Sequence, residues 1–308
     1  MATRLKARNP ELVKPGHIKG ILFGGPGAGK TWLALSFPAP YYIDTEGGAD
    51  LRHYQARLAA SGGGYMGPAD GALELETIID QVRALATERH HYKTLVIDSV
   101  STIYHREILR EGDRLGDKNG YGADKKPAIR WGKRLLQSVE RLDMNVWLVA
   151  HEVAEWKAED GKERREVGRQ PDFFEKASHD MHLTIQVRKL GKGIREAVVH
   201  KSRLAGFPEY DRFYLQQNGE DVGYANFATR YGRDFIEAEP QPIVLASAEQ
   251  VAEIERLLGV LKINPDDVEK WLTKANAETW TEVSEETATK TISWLLGKVE
   301  KPKMKESA

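Results

Sequence analysis

The octapeptide Gly24-Gly25-Pro26-Gly27-Ala28-Gly29-Lys30-Thr31 limits what this chain can fold into more than any other stretch. It has the form G-x-x-x-x-G-K-[ST] and follows directly on an apolar run at 18–23 that reads as a buried strand. A helical pattern over 31–37 comes straight after it. Glycines at this spacing let successive backbone N–H groups turn inward around phosphates, and the following helix adds the positive end of its dipole. The expected nucleotide-binding set is therefore Gly24, Gly25, Pro26, Gly27, Ala28, Gly29, Lys30, Thr31 and Trp32. Lys30 is expected on the β- and γ-phosphates of ATP and the Thr31 hydroxyl on Mg2+. The alternative, a glycine-rich turn of no function, must account for every fixed position in the right strand–helix context.

The remaining pattern is α/β. Short apolar runs at 41–43, 94–97, 146–150 and 183–187 alternate with helical periodicity at 73–88, 102–109 and 128–142, with Pro127 suited to a first turn. That alternation predicts a mostly parallel central sheet flanked by helices, and paired strands follow at 195–200 and 212–215. A polar, proline-bearing linker then precedes Ser247-Ala248-Glu249-Gln250, a capping box that starts the first of three short helices. The expected division is an N-terminal arm (1–17), an ATPase core (18–238), a linker (239–246), a small helical domain (247–300) and a disordered tail (301–308).

Composition narrows the function class. No cysteine occurs, which excludes disulfides, thiolate zinc sites, iron–sulfur clusters and thiol catalysis. Lys and Arg number 45 against 46 Asp and Glu, so the chain is no wholesale polycation, although a local basic surface remains open. No apolar run reaches the roughly 18 residues of a membrane span, and the N-terminal residues lack the apolar stretch of a signal peptide. A cytoplasmic protein without membrane partners is expected.

Further candidates lie at the ends of the predicted strands. Asp98 closes the run Thr94-Leu95-Val96-Ile97, where α/β sheets bind ligands, and is expected to organise Mg2+ together with Thr31. A helix cap is its plainer reading. Asp44, Glu46 (on a glycine-flanked loop just past its strand, where a plain solvated glutamate is the alternative) and Glu152 are open as the carboxylate that activates water. His151 ends the 146–150 strand, where it could sense a γ-phosphate or be merely structural.

The order of these pieces resembles the RecA/RadA superfamily of recombination ATPases. The matching stations are residues 24–31, Ile43-Asp44-Thr45-Glu46, Val96-Ile97-Asp98-Ser99-Val100, and His151 where RecA proteins carry a glutamine. A closer resemblance is to the short phage RecA-like ATPases of the Sak group, which act in single-strand annealing; it covers about residues 16–235. It implies a RecA-like fold, Glu46 as the water-activating residue and His151 as sensor, giving Lys30, Glu46, Asp98 and His151 as the catalytic set.

The resemblance also implies DNA-contacting loops on either side of the fourth predicted strand. The first insertion, 110–126, carries four glycines and is expected to be mobile; extended to residue 134 it holds eight basic and four acidic residues. The DNA candidates are Arg110, Arg114, Lys118, Lys125, Lys126 and Arg130, then Trp156, Arg164, Arg165 and Arg169 in the second insertion, 154–176. Cations there would neutralise phosphates, and Trp156 or Tyr121 would stack on an unpaired base. Ordinary solvated loops are the alternative. Val198-Val199-His200-Lys201-Ser202-Arg203 looks similar to the Lys-x-Arg fingers that act across subunits, which would make Lys201 and Arg203 trans-acting in a homo-oligomeric ring or filament. A strand-end salt bridge competes with that reading. The leading expectation is a Mg2+-dependent ATPase acting on single-stranded DNA in phage-type recombination or annealing. An ATP-dependent loader contacting single-strand binding or other recombination proteins is the alternative, and a P-loop small-molecule kinase a third.

Overall fold

The structure is a computed structural model and describes residues 16–48, 52–118, 120, 122–157, 165–174, 176–275 and 277–299. In chain order the elements are β1 (Lys19–Phe23), α1 (Lys30–Ala34), β2 (Pro40–Asp44), α2 (Arg52–Ala60), β3 (Gly64–Met66), α3 (Leu75–Thr87), β4 (Thr94–Asp98) and α4 (Val100–Leu115). Then follow α5 (Lys125–Arg141), β5 (Asn145–Ala150), β6 (Glu152–Lys157), β7 (Arg165–Pro171), α6 (Ala177–Asp180), β8 (Leu183–Gly191), β9 (Ile194–Ser202), β10 (Arg212–Gln217) and β11 (Glu220–Asp221). Five helices complete the chain: α7 (Gly223–Tyr231), α8 (Arg233–Ile236), α9 (Ala248–Leu261), α10 (Pro265–Lys274) and α11 (Glu285–Val299).

Nine strands form one sheet in the order β11-β10-β9-β8-β1-β5-β4-β2-β3. The six from β8 to β3 run parallel, and β9 to β11 add an antiparallel margin. The parallel strands are apolar on both sides because both faces are covered. Ile21, Phe23, Ile97, Leu148 and Ile43 face α3, α4 and α5, whereas Leu22, Val96, Val149 and Tyr42 face Leu33 of α1, Leu58 of α2 and Phe227 of α7. This is the mixed α/β sheet, mostly parallel and flanked by helices, that the sequence predicts. Register aligns Phe23 with Ala150, Asp98 with Val149, and Asp44 with Asp98. The glycine-rich loop after Phe23, Asp98, the loop after Asp44 and His151 therefore all leave one edge.

Beyond the sheet, α9, α10 and α11 surround their own apolar cluster, including Ile254, Leu257, Trp280 and Leu295. Charge ties this cluster to the core: Arg134 Nε lies 2.6 Å from Glu278, and Arg83 lies 3.2 Å from Glu282.

Both insertions differ from the loops expected. Helix α4 continues to Leu115, and α5 already begins at Lys125, so 110–115 and 125–126 are helical and a 3-10 turn follows α4 at Gly116–Lys118. The i,i+3 pairs Glu107–Arg110 and Glu111–Arg114, each at 2.8 Å, support the extra turns; Gly112 lies within the last turns of α4 and Gly116, Gly120 and Gly122 at and beyond its end. In α4 the residues packed in the sheet-facing core are Val100 and Ile103; in α5 they are Leu135, Leu136 and Val139. Ile129 and Trp131, in the first half of α5, pack against the same core as partly buried side chains. The second insertion is an antiparallel ribbon of β6 and β7. Arg164 and Tyr121, like residues 1–15 of the arm and 301–308 of the tail, lie outside the described residues.

Candidate nucleotide site

Strand β1 lies between β5 and β8, which places the loop 24–29 at the middle of the sheet edge. The fit is tight enough to require glycine. A Cβ on Gly24 would stand 2.2 Å from the Val187 carbonyl oxygen, and Gly29 caps α1 at a φ of 109°. Lys30 folds back over the loop, its Nζ donating to the Gly24 and Gly25 carbonyls at 2.8 and 3.1 Å. Burial lowers its pKa, against the pull of Asp98, Glu46 and Glu152. Those contacts hold the ammonium where a phosphate would be met.

The Thr31 hydroxyl donates to Asp98 Oδ2 at 2.5 Å, and the Tyr42 hydroxyl reaches the same oxygen at 3.4 Å. Burial raises Asp98 to about 6; the Thr31 bond and Lys30 oppose that shift, while Glu46 and Asp44 add to it. A hydroxyl and an adjacent carboxylate, poorly compensated and removed from water, fit a divalent cation, so Thr31 and Asp98 would hold Mg2+ here. When bound, Mg2+ supplies charge neutralisation on the β- and γ-phosphates.

Glu46 is the centre of the next cluster. Its Oε1 accepts from Ser99 Oγ at 2.7 Å and Thr102 Oγ1 at 2.9 Å, and lies 2.6 Å from His151 Nε2. Burial pushes its carboxyl up, but the bonds from Ser99, Thr102 and His151 outweigh that and hold it below the usual range. The structure thus brings Lys30, Thr31, Asp98, Glu46 and His151 to one place. The other open carboxylates divide. Asp44 is buried, with Oδ1 accepting the Glu46 N–H at 3.0 Å and Oδ2 the Tyr65 hydroxyl at 3.2 Å, so it supports the Glu46 loop. Glu152 Oε2 accepts from Gln186 at 3.1 Å, and its Oε1 would lie 3.3 Å from a Cβ on Gly25.

Several contributors were not singled out from sequence. Ser99 and Thr102 hold Glu46, and Ser99 is also the N-cap of α4, its Oγ accepting the Thr102 N–H. The Ser-x-x-Thr spacing after Asp98 is a cap signal, and only the fold shows that it also faces a carboxylate. Thr45 knots the two strand ends, its hydroxyl donating to the Ser99 carbonyl at 2.9 Å and accepting the Ser99 N–H at 2.8 Å.

A family model described as an AAA domain matches residues 17–196, more than half of the chain and including every residue of this cluster. The chain belongs to the AAA domain family. It is a P-loop AAA-type ATPase domain, a class that binds and hydrolyses nucleotide. Comparison with curated proteins yields no match.

The remaining candidates are spread out. Trp32 donates its indole N–H to Asp221 at 2.8 Å while Arg57 stacks 4.0 Å above its ring, so one aromatic face is already covered. Lys201 and Arg203 sit where β9 ends, beside Leu183 and the start of β1, at the opposite edge from their own P-loop. They donate to the Met181 and His179 carbonyls. Arg110 and Arg114 lie on α4, Lys118 follows it, and Lys125, Lys126 and Arg130 lie on the first turns of α5. Trp156, 54% exposed, projects from β6, while Arg165 and Arg169 lie on β7. No described helix is long and apolar enough to cross a membrane.

Proposed function

We propose that this AAA domain is a RecA-like, Mg2+-dependent ATPase whose nucleotide cycle is coupled to single-stranded DNA. Lys30 binds the β- and γ-phosphates, Thr31 and Asp98 bind the metal, and Glu46 orients and deprotonates the attacking water. The observation that carries the DNA reading is the wiring of Glu46. One of its partners, Thr102, lies in the first turn of α4, the helix that leads to Arg110, Arg114 and the basic start of α5. Another partner, His151, immediately precedes β6, the strand that bears Trp156. A γ-phosphate drawing on Glu46 and His151 would perturb the roots of both insertions at once, which is how nucleotide state could reach a strand of DNA.

In this reading Lys201 and Arg203 act on a neighbouring copy, in a ring or filament. Their placement far from their own P-loop agrees with a role in trans. A second reading, a loader that contacts protein partners, draws support from the helical cluster of α9 to α11. There Trp271 and Trp294 meet edge to face at 5.2 Å and line a 410 Å³ surface cavity with Trp280. Retention of a labelled oligonucleotide by the full chain, with and without ATP over a salt series, separates the readings. ATP-dependent binding that weakens with salt supports DNA coupling. No binding at low salt in any nucleotide state supports the loader.

A further inference from the structure

The turn between β8 and β9 carries Arg188, Lys189, Lys192 and Arg195 without a single acid between them. None of the four makes an ion pair among the described residues. Arg188 and Arg195 instead donate to the neutral side chains of Gln186 and Gln216. In the insertions Arg110, Arg114 and Arg169 each pair with a glutamate three residues away, while Lys118, Lys125, Lys126 and Arg130 share with the hairpin the lack of an ion pair among the described residues. The β8–β9 hairpin is thus a run of four cations uninterrupted by an acid.

That hairpin runs against the P-loop. Strand β8 meets it at Val187, whose carbonyl leaves no space for a Cβ on Gly24. Val187 and its cross-strand partner Ala197 belong to the apolar cluster shared with α1. Two residues further along each strand, the paired Lys189 and Arg195 fall on that same face. Arg195 then reaches the loop itself: a Cβ on Gly29 would stand 3.0 Å from its Cδ and 3.3 Å from its Nε. The Nε–H is buried and has no acceptor among the described residues. A buried guanidinium donor without an acceptor is uncommon, and an anion at the mouth of the loop would satisfy it.

We propose that Arg195 is a nucleotide-binding residue that closes the P-loop from the β9 side and pairs in cis with the phosphate chain near its α/β end. The assignment rests on the nucleotide-binding reading of the loop. Its position along the phosphate chain follows from the strand order. Asp98, Glu46 and His151 come from β4, β2 and β5 on one side of β1, and they mark the γ end. Arg195 approaches from the other side, at Gly29, whose backbone belongs to the cradle for the α- and β-phosphates. Arg195 therefore contributes to affinity for ATP and ADP alike, and Gln216 positions it.

The test uses the full chain and compares wild type with Arg195→Ala, Arg195→Lys, Gln216→Ala and Lys30→Ala. Dissociation constants for ATP and ADP are measured by displacement of a fluorescent nucleotide at fixed ionic strength, with a nucleotide-free melting curve for each variant. Arg195→Ala is expected to weaken ATP and ADP by the same factor, on the order of 10-fold, with an unchanged melting curve. Arg195→Lys and Gln216→Ala should lose less, again equally for both nucleotides. If Arg195→Ala does not fold, those two variants carry the same comparison. Wild-type affinities throughout would overturn the proposal, as would a loss confined to ATP, which would place Arg195 at the γ-phosphate. So would intact nucleotide binding with lost retention of an oligonucleotide. If wild type itself binds no nucleotide and matches Lys30→Ala, the reading beneath the proposal fails instead.

Discussion

Replacing Glu46 with glutamine separates nucleotide binding from hydrolysis. All three groups that hold this side chain meet the same oxygen, Oε1, so a glutamine carbonyl placed there keeps the Ser99 and Thr102 bonds. What is lost is charge. Glu46 is 40% exposed on its side chain, so the ion-pair share with His151 is screened, and folding stability should fall by less than about 1 kcal/mol. Nucleotide affinity should stay within roughly threefold or improve, because a negative charge near the γ-phosphate has been removed. Turnover should collapse. A positioned general base contributes about 100- to 10,000-fold, equivalent to roughly 3–5 kcal/mol of barrier. The assay is phosphate release at saturating ATP, with affinity measured separately by fluorescent-nucleotide titration. Wild-type turnover in Glu46→Gln would refute the assignment, and a variant that no longer binds ATP would refute the separation of roles.

Lys30→Ala should abolish measurable ATP binding or turnover, read by the same titration, since the ammonium held over the loop by two carbonyls is lost. The raised pKa of Asp98 gives a pH signature in the nucleotide-free protein. Its carboxyl is raised from 3.8 to about 6 in the fold, so the neutral form favours folding. That contribution is complete below 3.8 and disappears as pH rises through about 6, and Asp98→Asn should flatten this slope in urea melts between those limits. Mg2+-nucleotide affinity should move the other way, weakening below about pH 6 as the metal has to displace a proton from Asp98.

How far the sequence alone reached depends on the kind of constraint. The P-loop and Asp98 were legible because each needs a fixed residue type at a strand end, and the strand runs around them are short and wholly apolar. Glu46 stood among three carboxylates that strand-end position could not rank. The fold separates them, burying Asp44 beneath the Glu46 loop and tying Glu152 to Gln186. The insertions misled for a physical reason. Their glycines and mixed charges read as loops, yet i,i+3 ion pairs extend α4 and cross-strand pairing forms the β6–β7 ribbon. Arg195 was invisible because nothing local in Gly193-Ile194-Arg195 points to Gly29. Only the antiparallel return of β9 beside β8 brings it there.

The coupling of this site to DNA is tested most directly by the steady-state ATPase rate of the full chain with and without a single-stranded oligonucleotide, at fixed salt. The account predicts a rate that rises severalfold with single-stranded DNA, vanishes in Lys30→Ala and falls in Glu46→Gln. Measurable turnover that ignores single-stranded DNA at every salt concentration would contradict it.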